Sequence, residues 1–190
     1  MQLIVAITGT TGVIYGIRLL EAIRNTECKS HLIISPWGEK NIELETEYTA
    51  AQVKALADYT HDYNNLGSSI SSGSFPVDGM AVIPCSMKSL SAMAHGYTNN
   101  LINRAADVTL KEKRKLVVVP RETPLNLIHL NNMTALCQAG AVILPPMPAF
   151  YHKPKTINDL VNQTVGKVLD QFKISHNLFE RWHGMEGGDQ

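Results

Sequence analysis

The sequence predicts an α/β fold in three layers, a parallel sheet with helices on both faces. Three observations carry that reading. Short apolar runs rich in β-branched residues alternate with segments of helical period along the whole chain. The connections between them are short, as they are where each strand crosses over through a helix to a parallel neighbour. No internal repeat, low-complexity tract or linker interrupts the 190 residues. The chain therefore reads as a single domain spanning 1–190, with a core of about 1–172 and a tail of about 173–190. A domain of this size can bury roughly 70% of its unfolded surface.

The elements follow in order. The first strand, residues 3–7, runs into a glycine- and threonine-rich turn, and a helix follows over 13–24. A second strand at 32–34 leads to a helical pattern over 40–59. The segment 70–76, Ile-Ser-Ser-Gly-Ser-Phe-Pro, breaks the rhythm as a small-residue loop. Strand 80–83 precedes helices at 86–94 and 101–113. Residues 116–119, Leu-Val-Val-Val, are the clearest buried strand, since such a run suits a strand covered on both faces. A helix over 125–138 and a strand over 141–144 come next. Thr156 and Asp159 resemble a capping box, with Asp in place of the usual Glu, and open a last helix over 157–172. The tail ends in Gly-Met-Glu-Gly-Gly-Asp-Gln and is expected to fray.

Composition narrows the function classes. Lys+Arg and Asp+Glu balance at 17 each, so nothing points to nucleic acid or a membrane surface as partner. With 44% hydrophobic and 18% charged residues the exterior is rather apolar, which favours an oligomer. No apolar run approaches the roughly 20 residues that span a bilayer, and the N-terminal segment enters a strand without the features of a signal peptide. Cys28, Cys85 and Cys137 form no CxxC pair, which fits a reduced, cytoplasmic compartment. The seven histidines form no ligand-spaced cluster, so no metal is predicted.

Chemistry-bearing residues collect where strands end, and in open α/β sheets ligands bind beyond the carboxyl ends of the strands. Pro120-Arg121-Glu122 closes the strand 116–119; position alone is as consistent with a surface ion pair or a helix N-terminal Glu as with a role in chemistry. Thr8-Gly9-Thr10-Thr11-Gly12 closes the first strand ahead of a helix, where exposed N–H groups favour an anion, although its spacing is neither of the two familiar nucleotide-binding patterns. Ser35-Pro36-Trp37-Gly38 and Pro84-Cys85-Ser86-Met87-Lys88-Ser89 repeat the arrangement, with hydroxyls that either cap a helix or donate to a phosphate. Three hydroxyl-rich strand ends plus Arg121 suggest a phosphorylated ligand lying across the sheet, such as a flat cofactor with one phosphate. The stiff run Pro145-Pro-Met-Pro-Ala-Phe-Tyr151 can hold Phe150 and Tyr151 in place, as core, interface or site. Lys111 and Lys167, taken alone, read as solvated helix faces, and Cys85 as a small residue at a strand end.

These segments, with Ser71-Ser-Gly-Ser-Phe75, Asn103-Arg-Ala-Ala-Asp-Val108 and Pro120-Arg-Glu-Thr-Pro-Leu125, resemble the UbiX-type flavin prenyltransferases, of the kind associated with bacterial hydroxyarylic (phenolic) acid decarboxylases. The matched segments lie in order between Leu3 and about Leu169. The resemblance implies a flavodoxin-like (Rossmann-like) fold and a transferase that moves a dimethylallyl group from dimethylallyl phosphate to N5 and C6 of reduced FMN. The product, prenylated FMN, would pass to a UbiD-type aromatic acid decarboxylase. Carried over by residue, Gly9, Thr10, Thr11, Ser35, Ser86, Met87, Lys88, Ser89 and Arg121 would hold FMN. Arg104, Lys111, Arg121, Tyr151 and Lys167 would surround the phosphate of dimethylallyl phosphate, and Glu122 would be the acid/base residue, with Lys111 and Arg121 assisting the chemistry. The family implies a dodecamer with sites completed by neighbouring copies. Thr11 and Lys167 differ from the Ser and Arg frequent at those places, and both keep the hydroxyl or the charge.

Two other classes share the fold. A flavin-dependent cysteine decarboxylase would carry a Pro-x-Met-Asn-x-x-Met segment, where this chain has Pro146-Met-Pro-Ala-Phe150. A non-catalytic flavin-binding accessory subunit of a phenolic acid decarboxylase would not need Glu122.

Overall fold

The computed structural model describes residues 1–182 and Gly184. Six strands, β1 (Gln2–Ile7), β2 (Lys29–Ile34), β3 (Tyr59–His61), β4 (Gly79–Cys85), β5 (Lys115–Pro120) and β6 (Val142–Ile143), form one sheet in the order β3-β2-β1-β4-β5-β6. Every pairing is parallel. Without the short edge strand β3 the order is that of a flavodoxin-like sheet; with it, the order is that of a dinucleotide-binding sheet. In both descriptions the order reverses between β1 and β4.

Helices cover both faces: α1 (Val13–Arg24), α2 (Pro36–Glu45), α3 (Ala50–Lys54), α4 (Met87–Ala94), α5 (Leu101–Lys111), α6 (Leu127–Gln138) and α7 (Ile157–Gln171). Successive strand residues point to opposite faces, so β1 feeds two cores. Leu3, Val5 and Ile7 join the cluster containing Ile17 and Leu20 of α1 with Val165 and Leu169 of α7. Ile4 and Ala6 join the cluster of Leu90 of α4, Ile102 and Ala105 of α5 and Leu136 of α6. The continuously apolar run of the sequence is thus a strand buried from both sides.

Several expectations change in detail. The helix expected over 40–59 is two helices, because α2 ends at Glu45 and α3 restarts from a capping box made by Thr49 and Gln52. After α3 comes β3, a three-residue edge strand whose Tyr-Thr-His sequence is too short and polar to show a period. The strand expected over 141–144 is reduced to Val142–Ile143, although the Leu144 N–H still donates to the Val118 carbonyl at 2.8 Å. The expected fraying does not hold over 173–182: Ile174 is buried, the Phe179 ring lies against Gly166, and Asp170 of α7 pairs with both His176 and Arg181. The rest of the Gly-Met-Glu-Gly-Gly-Asp-Gln stretch beyond Gly184 lies outside the described residues. The capping box of Thr156 and Asp159 is present as read.

The β2–β3 edge holds a row of polar side chains. His31 Nε2 meets Gln2 Oε1 at 2.9 Å, His31 Nδ1 meets His61 Nε2 at 3.0 Å, and His61 Nδ1 meets Ser68 Oγ at 2.8 Å. Burial holds both imidazoles below their usual range, and on His31 the neighbouring His61 adds to that while Asp58 opposes it. The unfolded chain therefore binds more protons than the native one just below the ordinary histidine pKa of about 6.5. The contribution of these two histidines to stability is constant above that value and falls as the pH drops below it. The expected outcome is a lower Tm at pH 5 than at pH 7 in wild type and a smaller drop in His61→Asn, by scanning calorimetry; equal drops would discard this assignment. Asp58, Asp159 and Asp170 have carboxyls held low by their partners and titrate well below this window.

Candidate functional site

The crevice over the carboxyl ends of β1 and β4 is fastened by one side chain. Thr8 Oγ1 donates to the Pro84 carbonyl at 2.8 Å and accepts from the Ser86 N–H at 2.8 Å. Beside it, Ser35 caps α2 by accepting from the Gly38 N–H, and Ser86 caps α4 by accepting from the Ser89 N–H. Two helix N-termini thus open on one cleft of about 560 Å³, whose walls include Gly9, Ser35, Trp37, Ser86, Lys88 and Ser89. The floor requires glycine: a Cβ on Gly9 would lie 2.2 Å from Trp37 Cβ. Two helix starts with hydroxyls and Lys88 make a setting suited to a phosphate. Met87, the first residue of α4, packs its partly buried side chain against the core beneath.

Replacing Thr8, which is 1% exposed, by Val leaves the Pro84 carbonyl and the Ser86 N–H without their bridge. The expected cost is about 1–3 kcal/mol in urea unfolding, with weaker ligand binding in the cleft because the two strand ends are no longer held together. Unchanged stability would show that the bridge is dispensable.

At the start of α1 the structure departs from the expected phosphate site. Glu45 Oε2, from the last residue of α2, accepts from the N–H groups of Gly12 at 2.8 Å and Val13 at 3.3 Å. The anion that this helix start attracts is the chain's own carboxylate, which narrows the phosphate expectation to α2 and α4. Thr10 turns its hydroxyl to the Arg121 carbonyl at 3.1 Å, and Thr11 is exposed. Sequence reasoning missed Glu45, because a Glu ending a helix carries no local signal of what it touches. It also missed Tyr15, half-buried against Gly12, whose hydroxyl is pushed up by burial with the Arg121 guanidinium opposing.

Arg121 follows β5 at once, and its backbone N–H donates to the Cys85 carbonyl at 3.1 Å, joining the ends of β4 and β5. Glu122 is exposed and accepts from the Thr123 N–H at 3.0 Å. Among the described residues the surface ion pair of Arg121 with Glu122 does not form. Cys85 is fully buried, and burial pushes its thiol far up, which removes it as a nucleophile. No group of His, Cys, Asp and Glu among the described residues could hold a metal ion.

The remaining cations divide between the two faces of the sheet. Arg104 and Lys111 lie on α5 beside the 71–75 loop: Arg104 Nε donates to the Ser71 carbonyl at 3.1 Å, while Lys111 pairs with Glu112 against Gly73. Arg114 fixes the same loop through the Gly73 and Phe75 carbonyls at 2.7 and 2.9 Å. Lys167 is exposed on α7, which packs with α1 on the opposite face. Tyr151 is 44% exposed and meets the Trp182 ring edge-on. One chain does not gather Arg104, Lys111, Tyr151 and Lys167 around a single point. A wide apolar surface lies nearby, with Leu127, Ile128, Met147 and Phe150 all about 70% exposed.

Known proteins are similar to this chain in sequence and fold. Residues 1–169 match the Flavoprotein family. The chain is 52% identical over 184 residues to the flavin prenyltransferase LpdB of Lactiplantibacillus plantarum, covering 96% of this chain and 98% of the relative. A dodecameric FMN-dependent UbiX-like decarboxylase from Escherichia coli O157:H7 superimposes with a TM-score of 0.95 at 52% identity, over 97% of this chain and 100% of that one. AnUbiX (PadA1), solved in complex with FMN and dimethylallyl pyrophosphate, superimposes with a TM-score of 0.96 at 51% identity, over 97% and 98% of the two chains. The peptidyl-cysteine decarboxylase EpiD, 17% identical with a TM-score of 0.63, shares the fold alone. No helix among the described residues is long and apolar enough to cross a membrane.

Proposed function

We propose, from the premise that this chain belongs to the Flavoprotein family and within it to the flavin prenyltransferases, that it binds reduced FMN in the β1–β4 crevice and prenylates it with dimethylallyl phosphate. The observation that carries the reading is the convergence of the capped starts of α2 and α4 on one glycine-floored cleft at the switch point of the sheet. The bound reduced flavin supplies the nucleophilic N5 and C6 positions. Gly9, Ser35 and the backbone of Ser86, Met87, Lys88 and Ser89 hold its phosphate and approach its chain. Thr10 and Thr11 line the turn beside it, and Arg121 sits at the neighbouring strand end.

Breaking an allylic C–O bond leaves a phosphate dianion and a carbocation-like fragment. Arg104, Lys111, Arg121, Lys167 and the Tyr151 hydroxyl neutralise the departing charge, by the same electrostatic logic as an oxyanion hole. Because these groups lie on two faces of one chain, the phosphate end is completed by a second copy. The apolar surface of α6 and the 145–151 segment is suited to that contact, in a homo-oligomer of the dodecameric kind. The same contact excludes the water that would capture the cation. Glu122 accepts and returns the protons displaced at the reacting positions. The product, prenylated FMN, is passed to a UbiD-type decarboxylase, with both proteins in the cytoplasm.

Anaerobic incubation with reduced FMN and dimethylallyl phosphate, followed by mass spectrometry of the extracted flavin, tests the activity. A flavin heavier by one C5H8 unit is expected, and an unmodified flavin would refute the proposal. Running the diphosphate in parallel identifies the preferred donor.

A further inference from the structure

The row of polar side chains on the β2–β3 edge ends against the loop that orients Arg104. His31 is 3% and Ser68 8% exposed, so these groups bond to one another instead of to water. Three gaps separate Gln2, His31, His61 and Ser68, and with neutral imidazoles the Gln2 amide oxygen, which only accepts, sets their direction: His31 Nε2–H donates to it, His61 Nε2–H donates to His31 Nδ1, and the Ser68 hydroxyl donates to His61 Nδ1. The stack is closed by Tyr59, whose ring centroid lies 4.7 Å from that of His31, and by Phe75, edge-on at 5.5 Å.

Ser68 passes this constraint into the loop. It immediately precedes the single 3-10 turn Ser69–Ser71, and its carbonyl accepts from the Ser71 N–H at 3.0 Å. The Ser71 carbonyl accepts from Arg104 Nε at 3.1 Å, while Asp107 takes Arg104 Nη1 at 2.9 Å. These two contacts fix the plane of the guanidinium and leave its Nη2 end without a protein partner among the described residues. A planar fork held in this way is worth more to a phosphate than a freely turning one, because less rotamer entropy is lost on binding.

We propose that His61 and Ser68 are positioning residues for the phosphate end of the prenyl donor, acting through Ser71 on Arg104. The proposal rests on Arg104 being a phosphate residue of the reaction described above. It assigns a role in prenyl donor recognition to a polar row on the far edge of the sheet, where no substrate atom is contacted.

The two nitrogens of His61 make the test selective. Asn in its place puts an amide near the Nδ1 position and keeps the Ser68 contact, whereas Gln reaches the Nε2 position and keeps only His31. Ser68→Ala and His61→Gln are expected to lower kcat/KM for dimethylallyl phosphate by about threefold to tenfold, the loss of one neutral hydrogen bond. The loss should fall on KM, with the Kd for FMN held within about twofold, while His61→Asn stays within about twofold of wild type on both measures. In an Arg104→Ala background, Ser68→Ala should cost less than about twofold, since the group it positions is gone.

Independent losses in the two backgrounds, or His61→Asn as impaired as His61→Gln, would overturn the positioning role. If Arg104→Ala itself leaves kcat/KM unchanged, Arg104 is no phosphate residue, and that failure is distinct from failure of the row. Should Ser68→Ala not fold, the His61→Gln and Arg104→Ala pair carries the same cycle.

Discussion

Replacing Glu122 by Gln is expected to slow prenyl transfer by about 10²–10⁴-fold, the usual worth of a positioned acid–base group, while FMN still binds. Gln preserves size and the contact with the Thr123 N–H but neither accepts nor returns a proton. The residue stands one position beyond Arg121, just past the carboxyl end of β5, with its side chain exposed. The measurement is single-turnover formation of prenylated FMN with both substrates saturating, together with FMN affinity by fluorescence titration. A rate within a few-fold of wild type would move the proton-transfer role to another group. It would also favour the accessory-subunit alternative if partner decarboxylation were equally unaffected.

The second large effect concerns assembly. Lys111→Ala and Lys167→Ala are each expected to lose about 10²–10³-fold in kcat, because each removes a cation from the developing phosphate charge. The two lysines lie on opposite faces of one chain, so a site needing both takes them from different copies. Co-expressing the two variants with different affinity tags, and isolating particles that carry both, should recover a substantial fraction of activity, since some sites then receive two intact halves. Mixed particles no more active than either parent would mean that one chain supplies both lysines. Chains with apolar contact surfaces commonly form such closed symmetric assemblies.

Much of this site is legible in the sequence because its parts sit at strand ends, which periodicity locates well. The run Leu116–Val119 marked a strand buried from both faces, and the structure places it inside β5 with Arg121 directly after. The hydroxyls of Ser35 and Ser86 showed where helices begin, and both are caps. The features that escaped depend on contacts between distant segments. Glu45 ends a helix whose sequence pattern runs on past it, and only the tertiary fold shows its carboxylate on the start of α1. The edge strand β3 is held by register with β2 and by the histidine row, neither of which leaves a trace in three residues of sequence. The resemblance places Thr10 among the flavin-holding residues, and the structure adds that its hydroxyl donates to the Arg121 carbonyl, tying the first strand end to the fifth.

The Thr8 bridge also bears on the order in which the molecule comes into being. Its two partners lie 76 and 78 residues further along, at the end of β4 and just beyond it, so the crevice has no existence in a chain that has made only its first strands and helices. Until β4 arrives, β1 pairs on one side with β2 and offers an open edge on the other, the condition in which nascent chains associate wrongly. Pairings this distant in sequence form late and slowly. Capture of a flavin in the cleft therefore reports that the two halves of the sheet have joined, and FMN added during refolding would select molecules that have passed that step.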